Sequence, residues 1–149
     1  MNLAVFFSYD VSLQKWKDIG IIDREIKLYN ELIDKYNFRV KFFTYGNRND
    51  NEILPFGSKI EVIPLREHFT FYRSKYLNII KSFFIPLFLK RFIYDVDVIK
   101  TNQTWGGWVA VLCGLIYSKP VLARSGYNLK TFSQREKKSK IYIFFINII

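Results

Sequence analysis

Three short stretches hold the side chains that could do chemistry: Ser8-Tyr9-Asp10, Thr101-Asn102-Gln103-Thr104 with Gly106 and Gly107, and Arg124-Ser125-Gly126-Tyr127. They offer hydroxyls, planar amides, aromatic rings and one guanidinium, which suits hydrogen bonding to a hydroxyl-rich or anionic ligand. One histidine (His68) and one cysteine (Cys113) leave almost nothing for a His/Cys metal site or a Cys–His nucleophile pair, so no metal is expected and no catalytic residue is assigned. Thr104 reads as a helix cap, with Gly106 and Gly107 leaving backbone N–H groups approachable in the first turn. The plainer reading is that Gly106, Ala110 and Gly114, four apart, let that helix pack close to a sheet. Arg124, emerging from a buried strand, needs a carboxylate or phosphate partner: a ligand, or an acidic residue of a neighbouring loop. Asp10 and Asp18 are either a base or a grip on hydroxyls, or solvated and capping. Gly20, with Asp18 before the first long helix, permits the same two readings: approachable backbone N–H groups, or close packing of the helix on the sheet. His68, in "REHFTFYR", reads as structural.

The elements that must position these residues follow from periodicity. "NLAVFFS" is a continuous apolar run, suited to a strand buried on both faces. "SYDVSLQKWKDIG" reads as a polar loop. Ile22, Ile26, Tyr29, Ile33 and Tyr36 then form one helical stripe, with Asp23, Arg24, Lys27 and Asp34 on the other side. "FRVKFFTYG" is a second strand, stopped by the loop "GNRNDN", and "SKIEVIPL" a third. A helical segment from Tyr72 to Tyr94 is broken at Pro86. "DVDVIKT" is a fourth strand, followed by a helix from Thr104 to Tyr117. "KPVLARSG" is a fifth, and "SQREKKSKIYIFFINII" a last helix, basic first and apolar afterwards. Strands alternating with helices imply βαβ crossovers and a mainly parallel sheet, an α/β fold. In such a sheet ligands bind beyond the carboxyl ends of the strands, and the three polar stretches all fall there.

The chain has 149 residues, half of them apolar and 24% charged, enough for one domain with a substantial core. Its net charge of +10 concerns partners rather than fold: an anionic membrane surface, a phosphorylated substrate and an unspecific basic surface all fit. Nucleic acid is set aside, because Lys and Arg are scattered and no aromatic RNA-binding motif occurs. The single cysteine and the lack of a charged leader in "MNLAVFFSYD" point to the cytoplasm. No uninterrupted apolar run reaches about 20 residues, as a spanning helix needs.

The segment "DVIKTNQTWGGWVAVLCGLIYSKPVLARSGYN" resembles part of the N-terminal domain of group 1 (subfamily 4-like) glycosyltransferases with the GT-B fold. Those domains have a strand ending in a "TNQ"-like motif, a Gly-containing helix, and a strand opened by "KPV" and closed by "R-x-G-Y" or a histidine-bearing turn. The resemblance implies a Rossmann-like three-layer domain over residues 1–149, half of a GT-B architecture. It also implies the acceptor-binding part of a retaining sugar transferase, with Ser8, Gln103, Arg124 and Tyr127 lining the side of a glycan or lipid-linked acceptor; Tyr9, Asp10, Gly20, Asn102, Thr104, Gly106 and Gly107 complete the acceptor-binding candidates from the reading of the residues above. Two departures stand out: the histidine that many members carry after the fifth strand is absent, and so is a C-terminal donor domain with its basic pair and glutamate motif. The resemblance therefore implies a chain inactive alone, ending within the helix that leads onward, with no cofactor and with a nucleotide-sugar bound only by a donor domain supplied in trans. The alternative is a non-catalytic adaptor that anchors a donor-binding chain to the membrane. The basic, then apolar tail fits either a peripheral position on the inner membrane face or a helix covered by that second domain.

Overall fold

In the computed structural model, residues 1–54 and 58–124 are described. Ser125, Gly126, Tyr127 and the expected last helix lie outside them.

Five parallel strands form one sheet: β1 (Asn2–Phe6), β2 (Arg39–Thr44), β3 (Ile60–Pro64), β4 (Val98–Thr101) and β5 (Val121–Leu122). Their order is β3-β2-β1-β4-β5. The chain thus steps outward from β1 in one direction, then returns to add β4 and β5 on the other side. The order reverses between β1 and β4, and there the crossovers on either side of β1 diverge.

β1 shows why the sheet has a core on each face. Leu3, Val5 and Phe7 pack with Leu13 and Trp16 of α1 (Leu13–Asp18) and with Ile22, Ile26, Tyr29 and Ile33 of α2 (Ile22–Tyr36). Ala4 and Phe6 face the other way, against Val109, Ala110 and Cys113 of α7 (Trp108–Tyr117). Also on that face lie Ile85 in the 3₁₀ turn Ile85–Phe88, Leu89, and Ile93 of α6 (Lys90–Ile93). Between these come three further helices: α3 (Asp50–Ile53), α4 (Leu65–His68) and α5 (Lys75–Ser82). Helices on both faces of a five-stranded parallel sheet make a Rossmann-like three-layer α/β fold.

The expected stripe on α2 is buried except for Tyr36, which is exposed at the helix end. The first polar loop contains α1, because Ser12 caps it through the Lys15 N–H and Leu13 and Trp16 anchor it. The break at Pro86 is a 3₁₀ turn with that proline in its first turn. The helix expected from Thr104 begins four residues later, at Trp108, because Gly106 adopts φ +85° and interrupts the helical path.

Candidate functional site at the switch point

β1 and β4 run in register, with Phe6 opposite Thr101, and the Asn102 N–H extends the ladder by bonding the Phe6 carbonyl at 2.8 Å. Beyond this point the chains part, and a second contact closes the gap. The Tyr9 N–H donates to the Trp105 carbonyl at 3.3 Å, and Gly106 lies directly against Tyr9. A Cβ at Gly106 would stand 2.2 Å from the Tyr9 nitrogen, and its φ of +85° is one that side chains disfavour. This glycine therefore serves the approach of the two loops. Gly107 precedes α7 as its cap residue without a side-chain cap, and its N–H is taken by the Thr104 carbonyl at 3.0 Å. Thr104 contributes that carbonyl instead of the expected side-chain cap. The packing reading holds for Gly114, where a Cβ would meet Val121 Cγ2 of β5 at 2.2 Å.

At this junction Ser8 is 5% exposed, and its hydroxyl has no hydrogen-bond partner. Tyr9 is half-buried, its ring 5.1 Å from that of Tyr45 and 5.7 Å from that of Trp108. Burial pushes the Tyr9 hydroxyl up, and Asp10 adds to this while Arg66 opposes it. Asn102 is buried, Thr104 half-buried and Gln103 exposed. Trp105, also exposed, stands edge-on to Trp108 at 5.5 Å. Asp10, in the left-handed region at φ 61°, pairs with Arg66 at 2.7 Å. Arg66 also donates to the Tyr45 carbonyl at 2.8 Å.

The third stretch reaches this rim through its backbone. The Arg124 N–H bonds the Thr101 hydroxyl at 2.9 Å, tying the end of β5 to the tip of β4. The guanidinium turns to α2 instead, where it meets the Glu25 carboxylate at 2.9 Å. Arg24 holds the other Glu25 oxygen at 3.0 Å. Burial alone would push the Glu25 carboxyl up, but its bonds to Arg124 and then Arg24 hold it below the usual range. Next to this pair, Lys100 donates to the Tyr29 hydroxyl at 2.8 Å, and burial, then Arg124, lowers its ammonium. The carboxylate that Arg124 needed thus comes from the first turn of α2.

The remaining sequence candidates separate from the rim. Gly20 is exposed, at φ +71° in the turn between α1 and α2, and a Cβ there would meet nothing within 4 Å. Asp18 accepts from Gln14 on its own helix at 2.7 Å. His68 closes α4, exposed, 3.2 Å from Arg91. Cys113 is fully buried, its thiol pushed up to about 12 by desolvation, which leaves it inert at neutral pH. Among the described residues, no group of three or more His, Cys, Asp or Glu could hold a metal ion.

Comparison of the chain with protein-family models, curated proteins and solved structures gives no match.

Sequence reasoning missed Glu25, Arg66, Lys100 and Asp50. Glu25 had a signal: it lies on the apolar stripe of α2, three residues after Ile22 and four before Tyr29. A carboxylate in the middle of such a stripe must find a cation. Arg66 and Asp50 have no comparable local sign, because Arg66 meets Asp10 across 56 positions and Asp50 meets Leu13 across 37.

Proposed function

We propose that this chain is the acceptor-binding half of a retaining glycosyltransferase of GT-B architecture. It receives a glycan or lipid-linked acceptor between the β1 and β4 loops. One observation carries the reading: at the switch point, a buried hydroxyl without an internal partner, Ser8, lies in the same rim as Asn102 and the exposed Gln103. Buried polar groups are seldom left unpaired, so an orphan at a ligand-binding edge invites a ligand hydroxyl. Planar amides donate and accept together, which matches neighbouring hydroxyls on a sugar ring. The resemblance of Asp97–Asn128 to this family supports the assignment independently of the geometry.

In this reading Asn102 and Gln103 orient the acceptor, Ser8 bonds one of its hydroxyls, and the Tyr9 ring forms the floor. Arg124 positions the tip of β4 through Thr101 and Glu25. Stabilisation of the departing nucleotide diphosphate belongs to a cationic site on a donor domain.

The test is a glycan and glycolipid array probed with the whole chain and with Gln103→Ala. A bound class of glycan whose signal falls about tenfold in the variant, roughly one hydrogen bond to a polar ligand, supports the reading. An array without binding, or binding indifferent to Gln103 and Asn102, contradicts it.

A further inference from the structure

Helix α5 has its polarity reversed. Its buried residues are Asn78 and Ser82, while Tyr76 (81% exposed), Leu77 and Ile80 face outward. The inward polar pair is fully engaged. Asn78 accepts from the Tyr72 N–H at 2.6 Å and donates to the Tyr72 carbonyl at 2.7 Å. Ser82 donates to the Ile79 carbonyl at 2.6 Å and accepts from the Trp108 ring N–H at 2.8 Å. Turning the helix to bury Leu77 and Ile80 would break the three bonds to Tyr72 and Trp108, which lie outside it, so the outward apolar face is fixed by the fold.

That face continues along the chain. Tyr76, Leu77, Ile80, Phe83, Phe84, Leu87 and Phe88 are all exposed, spaced like one side of a helix. A patch of this kind marks a contact surface. Its charge identifies the partner. From residue 68 to residue 94 the chain has Arg73, Lys75, Lys81, Lys90 and Arg91 but no Asp or Glu, although it carries 13 acidic residues in all. None of these five cations forms an ion pair among the described residues. Protein interfaces are depleted in lysine as well as in carboxylates, whereas three of these five cations are lysines. Exposed aromatics among cations with no carboxylate complement an anionic lipid surface, where rings enter the headgroup layer and long cationic stems reach phosphate. Among the described residues, no helix is long and apolar enough to cross a membrane, so the contact is with the surface.

We infer that the Tyr72–Phe88 face docks on an anionic bilayer. This contact is independent of the acceptor bound at the switch point.

The test is flotation of the full chain with vesicles of equal parts phosphatidylglycerol and phosphatidylcholine, and with pure phosphatidylcholine. The wild-type chain should float with the anionic vesicles, lose binding as salt rises, and ignore the neutral ones. The double variant Leu77→Glu/Ile80→Glu should bind on the order of tenfold more weakly with an unchanged circular dichroism spectrum. Arg73→Glu/Lys75→Glu, which alters only exposed cations, should weaken binding chiefly at low salt. Leu28→Glu, on the exposed side of α2, should change nothing. Wild-type protein that stays with neither vesicle overturns the inference, as does flotation unaffected by both double variants. A dimer in sedimentation that Leu77→Glu/Ile80→Glu splits into monomers would assign the face to a second copy and overturn it too.

Discussion

The carboxyl end of β1 has two sides that differ in how their polar groups are satisfied. Toward β2 most of the groups close on one another, although the buried Tyr45 hydroxyl has no hydrogen-bond partner. Asp50, 2% exposed, accepts from the Leu13 and Gln14 N–H groups and from the Thr44 hydroxyl at 2.6 Å, while Arg66 joins Asp10 to the Tyr45 carbonyl. Gly46 is pressed against this carboxylate, since a Cβ there would come within 1.9 Å of an Asp50 oxygen. Toward β4 the loops are joined by two backbone hydrogen bonds and the Tyr9–Trp108 ring contact, while the Ser8 hydroxyl is unpaired and Gln103 is exposed. One side is a structural clasp, and the other holds a buried unpaired hydroxyl beside an exposed amide. Abundance of polar residues therefore does not mark a site, and the proposed acceptor rim rests on Ser8 and Gln103 rather than on the number of polar groups.

The largest effect expected from breaking this contrast is on the closed side. Asp50→Ala strands two N–H groups and a buried hydroxyl, and should cost about 3–5 kcal/mol, read as a fall in Tm of roughly 10 °C. Gly106→Ala attacks the backbone seam of the open side. With φ +85° and the Tyr9 nitrogen 2.2 Å from the new Cβ, it should cost about 2–4 kcal/mol in denaturant unfolding.

A pH series sharpens the part played by Arg124. Glu25 is held below its usual range by Arg124 and Arg24, and Asp95 by its bond to Lys41. A depressed carboxylate stabilises the fold above its unfolded pKa of about 4.3 for Glu, and that contribution is lost as pH falls through the folded value. Glu25→Gln should therefore lower Tm at pH 7 and narrow the gap to wild type below pH 4. A constant gap across that window would remove the pair from the acid-side stability. Smallest of all is Gln103→Ala, an exposed residue, which should leave stability within about 0.5 kcal/mol. Loss of stability there would mean that the open side is structural as well.

The parallel sheet was readable because apolar runs and the α2 stripe are local patterns, set by the face each residue must bury. The polar stretches at 8–10 and 101–107 were readable for the same reason, as they follow strands directly. Their relation to Arg124 was only half visible: the strand end was recognised, but its partner Glu25 lies 99 positions away, on a helix read as purely apolar inside. The facing of α5 was not legible in the sequence. The bonds of Asn78 to Tyr72 and of Ser82 to Trp108 reveal which side faces inward.

The contrast between the two sides of β1 is tested most directly by amide chemical shifts, recorded while the chain is titrated with the glycan that the array selects. The perturbed amides should be those of Ser8, Tyr9 and residues 102–107, with the Thr44–Asp50 amides unmoved. Shifts centred on Thr44–Asp50, or none at either place under saturating glycan, would contradict an acceptor site at the β1–β4 rim.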